Sequence, residues 1–557
     1  MKSSLTRNTA FLAFVLCCTA SSLFAQTTQA RKPAAGIVTG KVTIKGKAAP
    51  GIAVGVRVGQ PMTPLEPTYK GTTDQDGKYR ISDVPAGSYE VAPVAPLFVV
   101  SDATNQRGQT VVLAEGESVD GIDFALVRGG VITGKVTDAD GRPVIEQSVS
   151  LLPADQRPNQ QGPVYPINSM QTDDRGIYRM FGLAAGRYKV AVGLAQDGFF
   201  MSVANGRPSY KQTFHPDTTD ATKASIIEVT EGSEATNVDI ALGRANQSFA
   251  ASGRVINGEN RQPIAGVRFG LQFVVGAQNG SFMGTSATSN SQGEFRLENL
   301  APGKYAVFML PQQDSGIRAD AVTFDIIDQD ISDLVIKTST GATLAGTVVL
   351  ENTDDKTVLG KFMQLSVQGF VQSDGPTGNI LHSATINGDG SFVLKGLEAG
   401  AARISLGAPR DRSLLLGFTV KRIERDGIVQ PGNLEIKNAD QISGLKIVVS
   451  YGSATIHGVV KVENGTLPTG ARLFVRVTKA GERTSDLRPP QVDARGHFIM
   501  EGIPGGTYDF TVTVMTGPLG PGARPVTAKQ QASVVDGVVN DVTITLDLGQ
   551  KPGPPSL

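Results

Sequence analysis

The residue types that carry most enzyme chemistry are few in this chain and widely spaced. Its 557 residues include four histidines and two cysteines. The histidines are His215, His382, His457 and His497. They do not form the His-Glu-x-x-His pattern of a zinc enzyme, and a metal centre needs its ligands close together. The sequence therefore predicts no metal site, no bound cofactor and no catalytic residue.

Other catalytic patterns are missing as well. The chain has no Gly-x-Ser-x-Gly nucleophile elbow and no glycine-rich phosphate loop. The acidic stretch Asp74-Gln75-Asp76-Gly77 has the start of a calcium loop, but a full loop needs more acidic ligands and a distal Glu. The equivalent stretch further along is Asn290-Ser291-Gln292. We interpret both as turns and predict that the protein is not an enzyme.

Aromatic side chains are the remaining candidates for contact with a ligand. The most aromatic stretch contains Phe199, Phe200, Tyr210 and Phe214. Aromatic rings are enriched at protein interfaces and can form platforms for sugars. The alternative, which we favour, is that these rings complete a core. Tyr69, Tyr165 and Tyr210 could stack on a sugar, but the chain has no Trp, which counts against a carbohydrate ligand.

Three prolines form a second candidate contact. Pro61, Pro64 and Pro67 recur at every third residue, a spacing that favours polyproline II and a docking rib. The favoured alternative is a stiff loop at a sheet edge.

Charge gives no indication of a charged partner. Lys plus Arg and Asp plus Glu are equal at 52 each. A strongly basic balance would have indicated nucleic acid or an anionic membrane. We therefore predict no nucleic-acid partner, and the remaining partner is an unknown protein or glycan ligand.

The first residues predict export from a bacterial cell. Lys2 and Arg7 precede an apolar run from Phe11 to Ala20, and Ala25 suits cleavage before Gln26. The run is short for a membrane anchor, and Leu16 stands where a lipoprotein signal has a small residue. Both cysteines lie inside this signal, so the mature chain forms no disulfide. No later stretch is apolar enough to span a bilayer, which predicts a periplasmic, cell-surface or secreted protein.

A sixteen-residue phrase occurs five times. Its first copy is DGKYRISDVPAGSYEV, Asp76 to Val91, and the others are RGIYRMFGLAAGRYKV, QGEFRLENLAPGKYAV, DGSFVLKGLEAGAARI and RGHFIMEGIPGGTYDF. Ten residues separate its two glycines in every copy. The glycine pairs are Gly77 and Gly87, Gly176 and Gly186, Gly293 and Gly303, Gly390 and Gly400, and Gly496 and Gly506. Such constant spacing indicates a structural unit.

The phrase has the chemistry of two turns around a strand. Gly77 follows Asp76 in a turn where a positive φ is expected. The spacing from Val84 through Gly87 to Tyr89 is typical of a tyrosine corner, in which a Tyr hydroxyl bonds to nearby backbone. The corresponding tyrosines of later copies are Tyr188, Tyr305 and Tyr508. Copy four has Ala402 instead, so we expect repeat four to be less stable than the others.

Strands with period-two alternation flank each phrase. Val38-x-Gly40-x-Val42 precedes the first copy, and Ile122-x-Phe124-x-Leu126 follows it. Equivalent segments surround the other copies, and helical periodicity is almost absent. With about 100 residues and seven short strands per copy, the sequence predicts an all-β chain, a tandem array of five Ig-like or transthyretin-like β-sandwich domains after a signal peptide.

These motifs resemble carboxypeptidase regulatory-like domains. The resemblance rests on the opening strand, on Pro263-Ile-Ala-Gly-Val267 and on the Asp-Gly-x-Tyr…Gly-x-Tyr phrase. It implies a transthyretin-like sandwich, also described as a carbohydrate-binding-like fold, related to collagen-adhesin B-type and nodal-modulator repeats. Adhesin repeats can carry a Lys–Asn isopeptide bond, and Lys41 and Lys135 lie near the right strand. Other copies place Arg254, Thr347 and Val459 there, so we expect no cross-link.

The predicted organisation has almost no linkers. We expect a signal peptide at 1–25, a linker at 26–34, repeats at 35–129, 130–245, 246–341, 342–452 and 453–549, and a disordered tail at 550–557. Short junctions at Gly129, Ala245, Gly341 and Gly452 predict a semi-rigid, elongated string.

The predicted function is that of a non-enzymatic exported scaffold or adhesion-type protein. It would bind a protein or surface ligand through loops between strands, because loops that vary on a common scaffold usually carry recognition. A carbohydrate-binding protein of the cell envelope is one alternative. An accessory subunit of an envelope enzyme or transport system is another.

Overall fold

The computed structural model of the chain consists almost entirely of short β-strands, which confirms the prediction of tandem β-sandwiches. It describes residues 34–58, 67–102, 108–155, 168–193, 210–274, 282–312, 315–351, 353–372, 380–409, 412–468, 470–482, 487–515 and 526–549. The predicted signal at 1–25 and tail at 550–557 lie outside these residues. Within them, no helix has the length and apolarity needed to cross a membrane.

Repeats one and two contain the first nineteen strands. Those of repeat one are β1 (Gly36–Ile44), β2 (Lys47–Ala48), β3 (Ala53–Val58), β4 (Tyr69–Thr72), β5 (Lys78–Val84), β6 (Gly87–Val94), β7 (Phe98–Val100), β8 (Gln109–Leu113), β9 (Ser118–Val119) and β10 (Phe124–Arg128). Those of repeat two are β11 (Gly130–Thr137), β12 (Ser148–Pro153), β13 (Asn168–Gln171), β14 (Ile177–Leu183), β15 (Gly186–Val192), β16 (Thr213–Phe214), β17 (Ile227–Val229), β18 (Glu234–Ala235) and β19 (Ile240–Ala241).

Repeats three to five continue the pattern. Repeat three has β20 (Phe249–Asn257), β21 (Arg268–Phe273), β22 (Phe282–Thr288), β23 (Glu294–Leu300), β24 (Gly303–Met309), β25 (Ile317–Ala319), β26 (Val322–Ile326) and β27 (Ile331–Thr340). Repeat four has β28 (Ala342–Glu351), the helix α1 (Lys356–Phe362), β29 (Ser366–Gln372), β30 (Ile380–Thr385), β31 (Ser391–Leu397), β32 (Gly400–Gly407), a 3-10 turn (Arg412–Leu415), β33 (Phe418–Arg425), β34 (Ile428–Val429), β35 (Leu434–Ile436) and β36 (Gln441–Tyr451). Repeat five has β37 (Ala454–Glu463), β38 (Arg472–Lys479), β39 (His497–Ile503), β40 (Gly506–Met515), β41 (Thr527–Val534) and β42 (Val539–Asp547).

Each repeat consists of two sheets. One contains the first strand of the repeat, in the orders β2-β1-β10-β7, β14-β11-β18, β23-β20-β27-β25, β31-β28-β36-β33-β34 and β39-β37-β42. The strands β5 and β9 also pair with β1, and β19 pairs with β11. The other sheet has the orders β4-β3-β6-β8, β13-β12-β15-β16 with β17 on β15, β22-β21-β24-β26, β30-β29-β32-β35 and β38-β40-β41. The first strand pairs in parallel with the last strand of its own repeat.

The core of each repeat lies between its two sheets. The alternating residues of β1 illustrate the pattern, because Val38 and Val42 are fully buried while Lys41 is exposed. Five large clusters of buried apolar residues lie within residues 38–126, 132–242, 251–336, 342–449 and 454–546. Each repeat therefore buries a core of its own, as a chain whose only cysteines are Cys17 and Cys18 requires.

The glycine in the first strand permits a close approach of the last strand. A Cβ on Gly40 would lie 2.0 Å from the Ile122 carbonyl oxygen, and one on Gly134 would lie 2.0 Å from that of Val238. Both distances are shorter than any real contact, so a side chain at this position would push the last strand away. This is the physical reason for the repeated Val-x-Gly-x-Val pattern.

Candidate functional site

The Asp or Asn three residues before the first phrase glycine forms the turn itself. One carboxylate oxygen of Asp74 accepts from the backbone N–H of Asp76 at 2.9 Å and of Lys78 at 2.8 Å. Gly77 has φ +74°, and a Cβ there would lie 2.5 Å from the Val42 carbonyl oxygen. Equivalent turns surround Asp173, Asn290 and Asp493. Across the described ranges, no group of three or more His, Cys, Asp or Glu is placed to hold a metal ion.

The four corner tyrosines have the same geometry. Each hydroxyl donates to the carbonyl oxygen four residues earlier, at 3.0 Å from Tyr89, 2.7 Å from Tyr188, 2.8 Å from Tyr305 and 2.7 Å from Tyr508. All four side chains are buried. Burial raises the pKa of Tyr305 to about 12, and burial likewise raises the pKa of Tyr508 to about 12. The phrase therefore joins the start of the second strand to the preceding turn.

Repeat four stabilises this corner with different residues. Ala402 is fully buried, and Glu398 lies four residues before it, where the other repeats offer a carbonyl to tyrosine. The His382 Nε2 atom lies 2.9 Å from the Glu398 carboxylate, and both side chains are largely buried. The sequence analysis missed this pair. Its only signal is an acidic residue where the other copies have Pro or Ala.

The pairing of residues between strands shows which residue of repeat one corresponds to His382. His382 pairs with Gly369, which pairs with Ile404. In repeat one, the same ladder position holds Tyr69, which pairs with Val56. The Tyr69 ring packs edge-on against the Tyr89 ring, with centroids 6.4 Å apart. Tyr69, a candidate for ligand stacking, thus supports the corner of repeat one.

Two further tyrosines, which the sequence analysis did not single out, bond to backbone in the same way. Tyr79 and Tyr178 donate to the carbonyl oxygens of Ile122 and Val238, each at 2.6 Å. These bonds join the second strand of the sheet to the segment before the last strand. Repeats three to five have Phe295, Phe392 and Phe498 at this position, so the bond is confined to repeats one and two.

The remaining ligand candidates divide into two groups. Tyr210 and Phe214 are buried, with 7% and 5% of their surfaces exposed. Tyr210 packs in the core of repeat two, and Phe214 packs with Leu152 and neighbouring residues. These two rings offer no face to a ligand. Phe199, Phe200, Tyr165, Pro61 and Pro64 lie outside the described residues.

In repeats two, four and five, a glycine lies four residues before the second glycine of the phrase. This glycine contacts the preceding repeat. We call Gly182, Gly396 and Gly502 the joint glycines; their φ values are +67°, +74° and +71°. A Cβ on Gly182 would lie 2.4 Å from the Pro96 carbonyl oxygen of repeat one, and one on Gly502 would lie 2.4 Å from the Gly417 nitrogen of repeat four. The backbone of the preceding repeat therefore lies directly against each joint glycine.

One backbone hydrogen bond recurs within the preceding repeat, at the residue where that repeat ends. Gly129, Gly341 and Gly452 donate to the carbonyl oxygens of Leu97, Gly316 and Gly417 at 2.9, 2.8 and 2.8 Å. Side chains add to two of the joints. Lys45 pairs with Glu231 at 3.2 Å between repeats one and two, and the Arg318 guanidinium donates to Asn438 at 3.0 Å between repeats three and four. Three of the four junctions thus bring the main chains of neighbouring repeats into direct contact at the joint glycines.

The junction between repeats two and three has different residues. Repeats one and three have Asp83 and Asn299 at the joint-glycine position, with φ +62° and +61°. Asp and Asn tolerate a positive φ better than other side chains do, so φ alone does not require glycine there. Seven residues, Leu242 to Ser248, separate β19 from β20, whereas Gly129 alone separates β10 from β11. The short junction expected at Ala245 is therefore longer than predicted.

Comparisons with known proteins give only distant structural likenesses. No protein-family profile matches the chain, and no curated protein matches it. The structure is similar to a streptococcal ancillary pilin at 13% identity and TM-score 0.24, covering 55% of this chain and 99% of the pilin. It is similar to the Bacillus anthracis TIE protein at 12% identity and TM-score 0.16, covering 90% and 76%. The minor pilin GBS52 of Streptococcus agalactiae has 12% identity and TM-score 0.22, covering 38% and 96%. We draw no functional conclusion from likenesses this weak.

Proposed function

We propose that the protein is a non-enzymatic exported scaffold of the adhesion type, built from five carboxypeptidase regulatory-like repeats, that binds a protein or surface ligand. The observation that carries this proposal is the main-chain contact across three junctions, where the backbone of one repeat lies against Gly182, Gly396 or Gly502 of the next. Such contacts hold successive sandwiches in a set orientation. Fixed orientation is useful to a protein that presents several loops to one partner, since ordering those loops on binding then costs less entropy.

Asp and His side chains, which often act in catalysis, have structural roles in the described part of the chain. These roles support the same proposal. Asp74 and Asp173 cap turns, His382 braces the corner of repeat four, and the His215 ring bonds to the Asp239 carbonyl at 2.5 Å. The segments that differ most between repeats precede the Asp–Gly turn. They include 59–66, 156–167, 275–281, 373–379 and 483–486, which lie outside the described residues, and we propose that recognition occurs there.

Binding tests separate this function from the carbohydrate-binding alternative. Beads coated with the protein lacking residues 1–25 would be applied to a glycan array and to immobilised extracellular proteins. We expect saturable binding to protein and none to glycans, and we expect replacement of 59–66 or 156–167 by Gly-Ser linkers of equal length to reduce it. A control replaces the tail 550–557. Saturable glycan binding, or protein binding unchanged by every loop replacement, would contradict the proposal.

A further inference from the structure

Repeat five contacts repeat one, far away in the sequence, through the free edge of β8. This strand is the last in the order β4-β3-β6-β8, so among the described residues one side of its backbone has no neighbouring strand. The Val112 N–H donates to an Asp493 carboxylate oxygen at 3.3 Å. The Arg495 guanidinium donates to the Val112 carbonyl oxygen at 2.5 Å. One Asp–Arg pair thus satisfies both polar backbone groups of one edge residue.

Side chains extend this contact on both sides. Arg495 also pairs with Glu117 at 2.7 Å, and the Ser88 hydroxyl donates to Gln491 at 3.3 Å. The Asp493 side chain is only 2% exposed. Its other oxygen accepts from the N–H groups of Arg495 and His497, so the turn itself orients the carboxylate. The contact is therefore made by a preorganised turn.

The outward residue of the edge strand distinguishes repeat one from the others. Val111 and Leu113 face the core, so Val112 faces away from it, yet only 3% of Val112 is exposed. Val112 pairs with Ser88, the residue after the second phrase glycine Gly87. In the other repeats, the residues at the position equivalent to Val112 have exposed polar side chains. These are Glu228, Asp325, Glu435 and Ser533. Repeat one alone has an apolar residue there, paired with the small Ser88.

We propose that the free edge of β8 is a docking site for the Asp493–Ala494–Arg495–Gly496 turn of the same chain, and that this clasp closes the five repeats into a ring. The clasp is the reversible element of the molecule. Repeats one and two are joined at Gly182, and repeats three to five at Gly396 and Gly502. The seven-residue junction 242–248 is then the hinge about which the two rigid parts separate. A closed ring is the alternative to the elongated string expected from the sequence.

The test measures the distance between repeats one and five in the protein without residues 1–25. That chain has no cysteine, so Lys47→Cys and Lys529→Cys, both at exposed positions, accept a donor and an acceptor dye. We expect one high-efficiency population, independent of protein concentration. Arg495→Ala should shift most molecules to low efficiency. Val112→Asp should do the same, because it introduces the charge found on this strand in repeat three.

A matched control is available in repeat two. Arg175 occupies the same turn position as Arg495, and Arg175→Ala should leave the energy transfer unchanged. Circular dichroism of every variant verifies that the sandwiches remain folded. The proposal is overturned if both Arg495→Ala and Val112→Asp retain the parental efficiency, or if the parent itself shows low efficiency. Energy transfer that rises with protein concentration would also overturn the proposal, because it would show that the edge of β8 binds repeat five of a second molecule.

Discussion

At the scale of single residues, the corner tyrosine contributes both a buried ring and a hydroxyl bond. Variants of Tyr305 can separate these two contributions, because its side chain is 1% exposed and its hydroxyl donates to the Ala301 carbonyl oxygen. We expect Tyr305→Phe to lower the free energy of unfolding by about 1 kcal/mol, and Tyr305→Ala by about 3–5 kcal/mol. Urea unfolding of repeat three would measure both. Equal losses from the two variants would show that the ring packing contributes nothing.

The His382–Glu398 pair makes a prediction of the same kind for repeat four. His382→Ala leaves the largely buried Glu398 carboxylate without this partner, which we expect to cost about 1–3 kcal/mol of stability. The double variant His382→Ala with Glu398→Ala should recover part of that loss, since no buried carboxylate then remains. If the double variant is less stable by the full sum of two independent losses, the pair does not act as a unit.

Alkaline pH should affect the repeats unequally. A buried Tyr whose pKa is raised stabilises the fold fully below its unfolded pKa of about 10, and the contribution is lost as pH rises through the folded pKa. Burial raises the pKa of Tyr305 to about 12, so repeat three should lose stability between those values. Repeat four has Ala402 and should lose less. Melting temperatures of the two repeats across that range measure this, and parallel declines would contradict it.

At the scale of elements, a close backbone approach decides between Gly and Asn at the joint position. Both residues accept φ near +60° to +75°, but a Cβ at Gly182 would lie 2.4 Å from the Pro96 carbonyl oxygen of repeat one. We expect Gly182→Asn to destabilise the contact between repeats one and two by about 1–3 kcal/mol, as overpacking does. Calorimetry of the full chain should show the loss. Asn299→Gly is the matched control, and an equal effect there would refute the assignment.

The sequence predicted elements better than the contacts between them. Alternation and the ten-residue glycine spacing were enough to predict the strands and turns, since both patterns are local. The hydroxyl bonds of Tyr79 and Tyr178 were missed because Phe and Tyr fill a core position equally well. The reason for Gly182 and Gly396 was also missed, because a positive φ alone would have allowed Asn. For the ligand candidates, the burial of Tyr210 depends on tertiary packing that no local pattern records.

At the scale of the whole molecule, the central claim is that joint glycines fix the orientation of neighbouring repeats. The most direct test is the distance distribution between spin labels on exposed positions of repeats three and four. Glu259→Cys and Lys356→Cys suit this purpose in the protein without residues 1–25. We expect a single narrow distribution, and Gly396→Asn should broaden or shift it while circular dichroism stays unchanged. A broad distribution in the parent protein, or one that Gly396→Asn leaves unaltered, would contradict the account.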